Sequence, residues 1–225
     1  PYTTLFRSEF DIDGDYKNSA LVEVFDTTKI RAQLYNSYAK NAYGKKGIIY
    51  SISREHSEHI CAQYRSHNIS IENIDSKTPS KTREDIIKAF KNGDIDIIVN
   101  VDIFSEGFDC PDIEFIQLAR PTKSLVKYIQ QVGRGLRKNG TKQCIILDNV
   151  GMYSRFGLPD EDRDWEAHFY GNGIDEVPSK RQAHGPRIIK DYQETDLSEG
   201  NEDMVLIQNM DIPQPTNTVD KPIII

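Results

Sequence analysis

The sequence predicts an α/β fold in which a doubly wound parallel sheet carries helices on both faces. Five short apolar segments, partly β-branched, are typical of buried strands, and segments with helical periodicity lie between them. This alternation indicates a parallel sheet, because neighbouring parallel strands need a long crossover connection. The predicted strands are 47–53, 69–75, 95–101, 113–119 and 143–149.

The predicted helices fill the intervals between strands, and one precedes the first strand. Ser53 is placed to cap a helix over 54–66, and Ser80 or Thr82 opens a helix that ends at Gly93. The remaining helices are predicted over 28–42 and 125–131. Doubly wound sheets place their ligand sites on loops at the carboxyl ends of the strands, so we expect the functional residues there.

The charge of the chain is unevenly distributed. Its 225 residues carry a net charge of −7, which by itself argues against a nucleic-acid partner. Residues 46–140 contain 14 Lys and Arg against 13 Asp and Glu, whereas residues 141–225 contain 8 against 16. The acidity therefore belongs to an irregular C-terminal extension. Within this extension, Trp165 is predicted to pack the first residues onto the sheet.

The first eight residues, PYTTLFRS, back-translate to a stretch of a common sequencing adapter, so we interpret 1–8 as an assembly artefact. On this interpretation an upstream part of the polypeptide is missing. The rest divides into a linker and remnant of that part over 9–45, an α/β domain over 46–150, and the acidic extension over 151–225.

Cysteine and histidine positions predict no metal site. The three cysteines are odd in number and far apart, which is typical of free thiols in a reducing cytoplasm. His56 and His59 could share a helix face, where we expect a solvent-exposed pair. No apolar run approaches the roughly 20 residues that span a bilayer, so no membrane partner is expected.

The segment YIQQVGRGLR carries the strongest chemical signal. Arg134 and Arg137 are three residues apart and can share a helix face. A guanidinium binds two phosphate oxygens at once, so this spacing suits a phosphoryl-transfer site. A basic helix end that caps its own carbonyl groups is an equal alternative on spacing alone.

Two further loops are candidates for ligand binding. DIFSEGFDCPDI follows a predicted strand, where Gly107 allows close backbone approach and Asp109 can accept hydrogen bonds from a ribose hydroxyl or hold a neighbouring arginine. Taken alone, this segment is more typical of an ordinary Gly-Asp turn. IDSKTPSKTRE places Ser76 and Lys77 before a helix N-terminus, which suits an anion but is also typical of a solvated cap.

Together these segments resemble a known family. IIYSIS, TREDIIKAFKNGDIDIIV, SEGFDCPDIEFIQLARPTKS and YIQQVGRGLR occur in the order and spacing of motifs IV, IVa, V and VI of superfamily II helicases. Over 47–148 the chain resembles their C-terminal RecA-like lobe, which implies a RecA-like sheet. The segments LDNVG and GLPDEDRDW resemble RadD-type DNA repair helicases most, with helicase subunits of type III restriction systems as near neighbours.

The resemblance implies a role for each matching residue. Arg137 would be the arginine finger, Arg134 would contact the same phosphate, and Gln130 would link hydrolysis to movement. The nucleotide side of the cleft between lobes would include Gly107, Asp109 and Gly133. The contacts with a nucleic-acid backbone would come from Ser51, Ser53, Ser76 and Lys77.

The chain also departs from a complete helicase. It contains no GxxxxGK[ST] segment and no DExH or DExD box after an apolar strand. ATP and Mg²⁺ would therefore be bound mainly by an N-terminal RecA-like lobe of the same polypeptide, and this chain alone is expected to be inactive. The implied partner is DNA, single-stranded or branched. Alternatives are the motor subunit of a restriction system and a non-catalytic nucleic-acid-binding module.

Overall fold

A computed structural model describes residues 15–101, 110, 112–136, 143–159 and 161–166, together with the backbone of Ile223–Ile224. The helices are α1 (Asn18–Phe25), α2 (Thr28–Asn41), α3 (Arg54–Arg65), α4 (Ser80–Asn92), α5 (Leu125–Gly133) and α6 (Met152–Phe156). The strands are β1 (Gly47–Tyr50), β2 (Ile71–Ile74), β3 (Ile97–Asn100), β4 (Phe115–Leu118), β5 (Ile145–Asp148) and β6 (Ile223–Ile224).

The strands form one sheet in the order β2-β3-β1-β4-β5-β6. The first five strands in this order are parallel, and β6 pairs antiparallel with β5. Gly47 at the start of β1 is opposite Ile97 in β3 and Phe115 in β4, so all three strands begin level. The predicted doubly wound parallel sheet is confirmed, and each of its five predicted strands contains a four-residue observed strand.

Helices cover both faces of the sheet because successive strand residues point to opposite sides. In β1, Ile48 and Tyr50 belong to a core shared with α1, α4, α5 and α6. Ile49 belongs to a second core, formed with α2 and α3. Both sides of each central strand are thus buried, which explains the continuous apolar runs in the sequence.

A buried polar network joins the second core to the sheet. Gln117, in β4, is fully buried, and its Nε2 donates to the Leu34 carbonyl and to Asn149 Oδ1, each at 2.9 Å. The Tyr64 hydroxyl donates to Gln117 Oε1 at 2.7 Å. The amide of Gln117 is therefore satisfied on both of its ends, as a buried polar group must be.

The regions beside the sheet differ from expectation in three places. A helix, α1, occupies Asn18–Phe25, where no element was predicted, and it buries Leu21 and Phe25. Helix α6, over Met152–Phe156, was also not predicted. Trp165 remains 54% exposed, so the prediction that it anchors the extension is wrong. That contact comes instead from Met152 and Phe156 in α6, which pack into the first core. The division of the polypeptide at residues 46 and 150 stays a prediction.

Among the described residues, no helix is long and apolar enough to cross a membrane.

Candidate functional site

The carboxyl edge of the sheet brings four predicted site residues onto neighbouring loops. Ser51 and Ser53 follow β1, and Ser76 and Lys77 follow β2. Ser53 caps α3, since its Oγ accepts from the His56 amide at 3.1 Å. Ser76 and Lys77 are exposed. These two side chains can therefore reach a ligand that passes over this edge.

Ser51 lies at the same edge but faces inward. It is 2% exposed, and its hydroxyl donates to the Asn100 carbonyl at 3.2 Å. This bond joins the loop after β1 to the last residue of β3, and the two strands are also paired in the sheet. In this structure Ser51 therefore shapes the edge, and its predicted contact with nucleic acid stays a prediction.

Asp75 organises the loop that carries Ser76 and Lys77. Its Oδ1 accepts from the Lys77 amide at 2.8 Å and from Thr78 Oγ1 at 3.1 Å. Its Oδ2 lies 3.3 Å from Arg54 Nε, and the Arg54 side chain is 57% exposed. The buried carboxylate thus pairs with Arg54, the first residue of α3, and fixes the backbone of the loop that carries Lys77. Sequence reasoning missed both Arg54 and Asp75, although Arg54 directly follows the predicted cap Ser53.

His56, in the first turn of α3, supports the loop after β1 through a hydrogen bond. Its side chain is fully buried, and its Nδ1 accepts from the Ile52 amide at 3.3 Å. Burial lowers the pKa of His56 to about 4, so the ring is neutral at physiological pH. The expected exposed histidine pair is wrong for this residue. His59 is partly exposed, and its Nδ1 lies 2.8 Å from Asp26 Oδ2.

Helix α5 leads to the arginine pair and is held along its length. Ser124 Oγ accepts from the Lys127 amide at 3.3 Å and caps the helix. The Tyr128 hydroxyl donates to the Gly157 carbonyl at 2.9 Å, and the Tyr50 hydroxyl donates to the Gln131 carbonyl at 3.4 Å. The helix is thereby tied both to β1 and to the segment after α6.

Residues 134–136, which we term the arginine turn, continue from α5. Arg134 is partly exposed, and Gln130, one helical turn earlier, is exposed. A β-carbon on Gly135 would lie 2.2 Å from Cys144 Sγ and 3.1 Å from Ile116 Cγ1. Only glycine therefore allows the backbone of the turn to lie this close to the sheet. A β-carbon on Gly133 would meet nothing within 4 Å.

The arginine turn does not lie at the carboxyl edge. Gly135 contacts Cys144, which precedes β5, and Ile116, the second residue of β4. The turn therefore lies over the amino-terminal ends of these strands, at the far end of α5. The expectation that all candidate residues gather at one edge is corrected here, because a crossover helix runs antiparallel to its strands and carries its last turn away from that edge.

Three predicted site residues, Arg137, Gly107 and Asp109, lie outside the described residues. The described ones form two groups. Ser51, Ser53, Ser76 and Lys77 lie at the carboxyl edge, while Gln130, Gly133 and Arg134 lie at the end of α5. This arrangement suits a domain that contacts one ligand along an edge and a second ligand through a separate arginine-bearing surface.

Comparison with known proteins shows the family of this chain. A model of the helicase conserved C-terminal domain matches residues 27–139. The chain belongs to the helicase C-terminal domain family of superfamily II. The matched range contains every residue of both groups, so each lies within the helicase C-terminal domain.

Relatives of this helicase C-terminal domain are larger proteins. The chain is 39% identical over 159 residues to the 51.5 kDa protein of Lactococcus phage isolate 7-9, which covers 71% of this chain and 35% of that protein. It is 31% identical over 144 residues to the protein IRC3 of Saccharomyces cerevisiae, covering 62% and 21%. The chain thus spans about a third of the first relative and about a fifth of the second.

Solved structures resemble the domain in part. The C-terminal domain of the DEAD-box protein Dbp5 matches with a TM-score of 0.47 and 16% identity, covering 63% of this chain and 88% of that one. The Escherichia coli DEAD-box protein SrmB, bound to RraA, also gives a TM-score of 0.47, with 20% identity and coverage of 55% and 78%.

Proposed function

We propose that this domain is the C-terminal motor lobe of an ATP-dependent DNA helicase or translocase. The family membership supports a motor role. The chain is 28% identical over 111 residues to the ATP-dependent DNA helicase Q-like 2 of Arabidopsis thaliana and 21% identical over 188 residues to the UvrABC system protein B of Treponema denticola. These names favour DNA as the nucleic acid. The resemblance of the motif sequences to those of RadD-type helicases favours a role in DNA repair.

The observation that carries the proposal is the close packing of the arginine turn against the sheet. Gly135 packs against Cys144, and this contact fixes the backbone on which Arg134 stands. A pre-positioned guanidinium can stabilise charge that develops on a transferring phosphoryl group without reorganising. We assign Arg137 as the arginine finger, Arg134 as a second phosphate contact, and Gln130 as the link between hydrolysis and movement.

The nucleotide would be ATP with Mg²⁺, bound mainly by an N-terminal RecA-like lobe of the same polypeptide. The described residues contain no group of three or more His, Cys, Asp or Glu that could hold a metal ion. They contain Arg134, which suits a phosphate. This domain would therefore supply positive charge to a nucleotide whose metal is held elsewhere, with Gly107, Asp109 and Gly133 on the nucleotide side.

The nucleic-acid track would follow the carboxyl edge. Lys77 is exposed there, and Arg54 is held beside it through Asp75. Ser53 and Ser76 add hydroxyl groups on the same loops. Contacts of this kind bind the phosphate backbone, so we expect binding that depends on salt and little on sequence, to single-stranded or branched DNA.

Steady-state ATPase assays test the proposal. The 225-residue chain alone should hydrolyse essentially no ATP. In the longer polypeptide that contains the P-loop lobe, Arg137→Ala should lower kcat about a thousandfold and leave DNA affinity within about twofold. Lys138→Ala, which removes the neighbouring positive charge, is the matched control and should retain turnover. ATP hydrolysis by the isolated chain that Arg137→Ala abolishes would overturn the proposal.

The same variants distinguish the motor proposal from a non-catalytic nucleic-acid-binding module. If the arginines bind backbone phosphate and ATP is irrelevant, Arg137→Ala will weaken DNA binding by the isolated chain, measured by fluorescence anisotropy with a single-stranded oligonucleotide. The motor proposal predicts unchanged anisotropy for this variant. A nuclease or methyltransferase encoded beside the gene would favour the restriction-system motor.

A further inference from the structure

A buried carboxylate, Asp15, fastens the start of the described chain to the beginning of α5. The Asp15 side chain is 4% exposed. Its Oδ1 accepts from the Lys123 amide at 2.8 Å, and its Oδ2 accepts from Thr122 Oγ1 at 2.8 Å and lies 3.1 Å from Lys127 Nζ. Three residues that are more than a hundred positions away in the sequence thus converge on one carboxylate. Asp15 also lies outside the range matched by the family model.

A chain of hydrogen bonds carries this contact into the cap of α5. The Thr122 hydroxyl has one proton, which it donates to Asp15, so its lone pairs face the Ser124 amide at 3.0 Å. Ser124 Oγ in turn accepts from the Lys127 amide. Asp15 therefore orients the Thr122 hydroxyl, and this hydroxyl in turn positions Ser124, the residue that caps α5.

Tyr16 extends the same attachment to a third segment. The Lys123 ammonium lies 5.1 Å from the centre of the Tyr16 ring, and Arg155 Nη1 donates to the Tyr16 hydroxyl at 3.4 Å. Burial alone would raise the pKa of Asp15, but its hydrogen-bond donors outweigh burial and hold that pKa below its usual value. The carboxylate is thus ionised and fully engaged at neutral pH.

We propose that Asp15 is a positioning residue for the arginine turn. Helix α5 is nine residues long, about 13 Å, and acts as a short rigid rod. Asp15 holds the first end of this rod, and Gly135 seats the far end against the sheet. Loss of Asp15 frees the first end, so the arginine turn no longer keeps one orientation. The catalytic part of this inference rests on the proposed function.

Amide hydrogen exchange in the full 225-residue chain tests the positioning. Asp15→Asn should increase exchange in residues 122–136 about tenfold and leave β1 and β3 unchanged. Asp26→Asn is the matched control, because the Asp26 side chain is also 4% exposed and binds Arg31 and His59, neither of which belongs to residues 122–136. It should not change exchange in 122–136 selectively. An unchanged 122–136 in Asp15→Asn, or an equal effect of both variants, would overturn the inference.

Thr122 provides a second pair of variants if Asp15→Asn does not fold. Thr122→Val removes the hydroxyl that joins Asp15 to Ser124 at nearly constant volume, whereas Thr122→Ser keeps it. Thr122→Val should increase exchange in 122–136, and Thr122→Ser should restore protection. Equal exchange in the two variants would contradict the hydrogen-bond chain.

Kinetics of the longer polypeptide separate positioning from the proposed function. Asp15→Asn should lower kcat at least about tenfold and change the KM for ATP less than about threefold, because a displaced arginine loses contacts made in the transition state. An unchanged kcat in an active protein would contradict the catalytic role of Asp15. If the wild-type protein has no ATPase activity, the proposed function fails, and hydrogen exchange still decides the positioning.

Discussion

The backbone of Gly135 lies directly against the side chain of Cys144. A β-carbon at position 135 would come within 2.2 Å of Cys144 Sγ, and Cys144 is itself 2% exposed. Gly135→Ala should therefore push the arginine turn off the sheet and destabilise the domain by about 1–3 kcal/mol, as overpacking does in buried sites. Urea unfolding followed by circular dichroism measures this change.

Gly133→Ala is the matched control for stability, since a β-carbon there meets nothing within 4 Å. Alanine also has a better helix propensity, so Gly133→Ala should leave the free energy of unfolding unchanged or raise it by up to about 1 kcal/mol. Equal destabilisation by the two variants would show that the contact with Cys144 does not distinguish these glycines.

The Tyr64 hydroxyl should contribute measurably to stability through Gln117. Tyr64→Phe removes the donor to Gln117 Oε1 and leaves that oxygen buried without its partner. We expect a loss of about 1–3 kcal/mol in the free energy of unfolding. Tyr43→Phe, at a residue that is 65% exposed, should change it by less than about 0.5 kcal/mol. Comparable effects in thermal unfolding would argue against the network.

The stability of the domain should fall at mildly acid pH because of His56. The pKa of this histidine is about 4 in the folded state against 6.5 as its reference value. Between these values the unfolded chain binds a proton that the folded chain excludes, so stability is lost as pH falls from about 6.5 to about 4. From pH 7 to pH 5 this group should cost roughly 2 kcal/mol.

A variant at position 56 isolates this contribution. His56→Asn can keep an acceptor for the Ile52 amide but cannot titrate. The difference in unfolding free energy between pH 7 and pH 5, from urea curves, should be smaller in His56→Asn than in the wild type by roughly 2 kcal/mol. An identical pH dependence in both proteins would mean that His56 takes up its proton in the folded state as readily as in the unfolded state.

Lys77 should contact the DNA backbone under the proposed function. Lys77→Ala should weaken binding to single-stranded DNA of any sequence and reduce the slope of log K against log salt by about one. Lys40 is also exposed but lies near the end of α2, which leads to the amino end of β1. Lys40→Ala is therefore the control and should keep the wild-type slope. A sequence-dependent loss in Lys77→Ala would contradict backbone contact.

Local signals in the sequence were sufficient for most of the fold. Ser53 and Gly93 predicted the start of α3 and the end of α4, because capping and left-handed backbone are properties of a few neighbouring residues. Helix α1 was not predicted, and it has no capping side chain. Its helical state is supported by burial of Leu21 and Phe25, a contact that composition alone does not reveal.

The candidate site was predictable in its residue types but not in its geometry. The arginine spacing in YIQQVGRGLR pointed to phosphate, yet the position of the arginine turn at the amino ends of β4 and β5 follows from the direction of α5. His56 and Ser51 have polar side chains that usually face solvent, and here both are buried. The Ser51 hydroxyl bonds the Asn100 carbonyl, a partner that depends on how β1 and β3 pair. His56 Nδ1 accepts from the nearby Ile52 amide, while its Nε2 is buried without a hydrogen-bond partner.

The order of the five parallel strands and of the helices between them, the Ser53 cap and the four helicase motifs were determined by the sequence itself, because each depends on local periodicity and spacing. Tertiary structure decided which distant residues meet. It placed Asp15 against Thr122 and Lys127, Gly135 against Cys144, and Tyr64 against Gln117. Such contacts arise only when the sheet and its helices are assembled, since the free energy that holds each buried polar group comes from partners far along the chain.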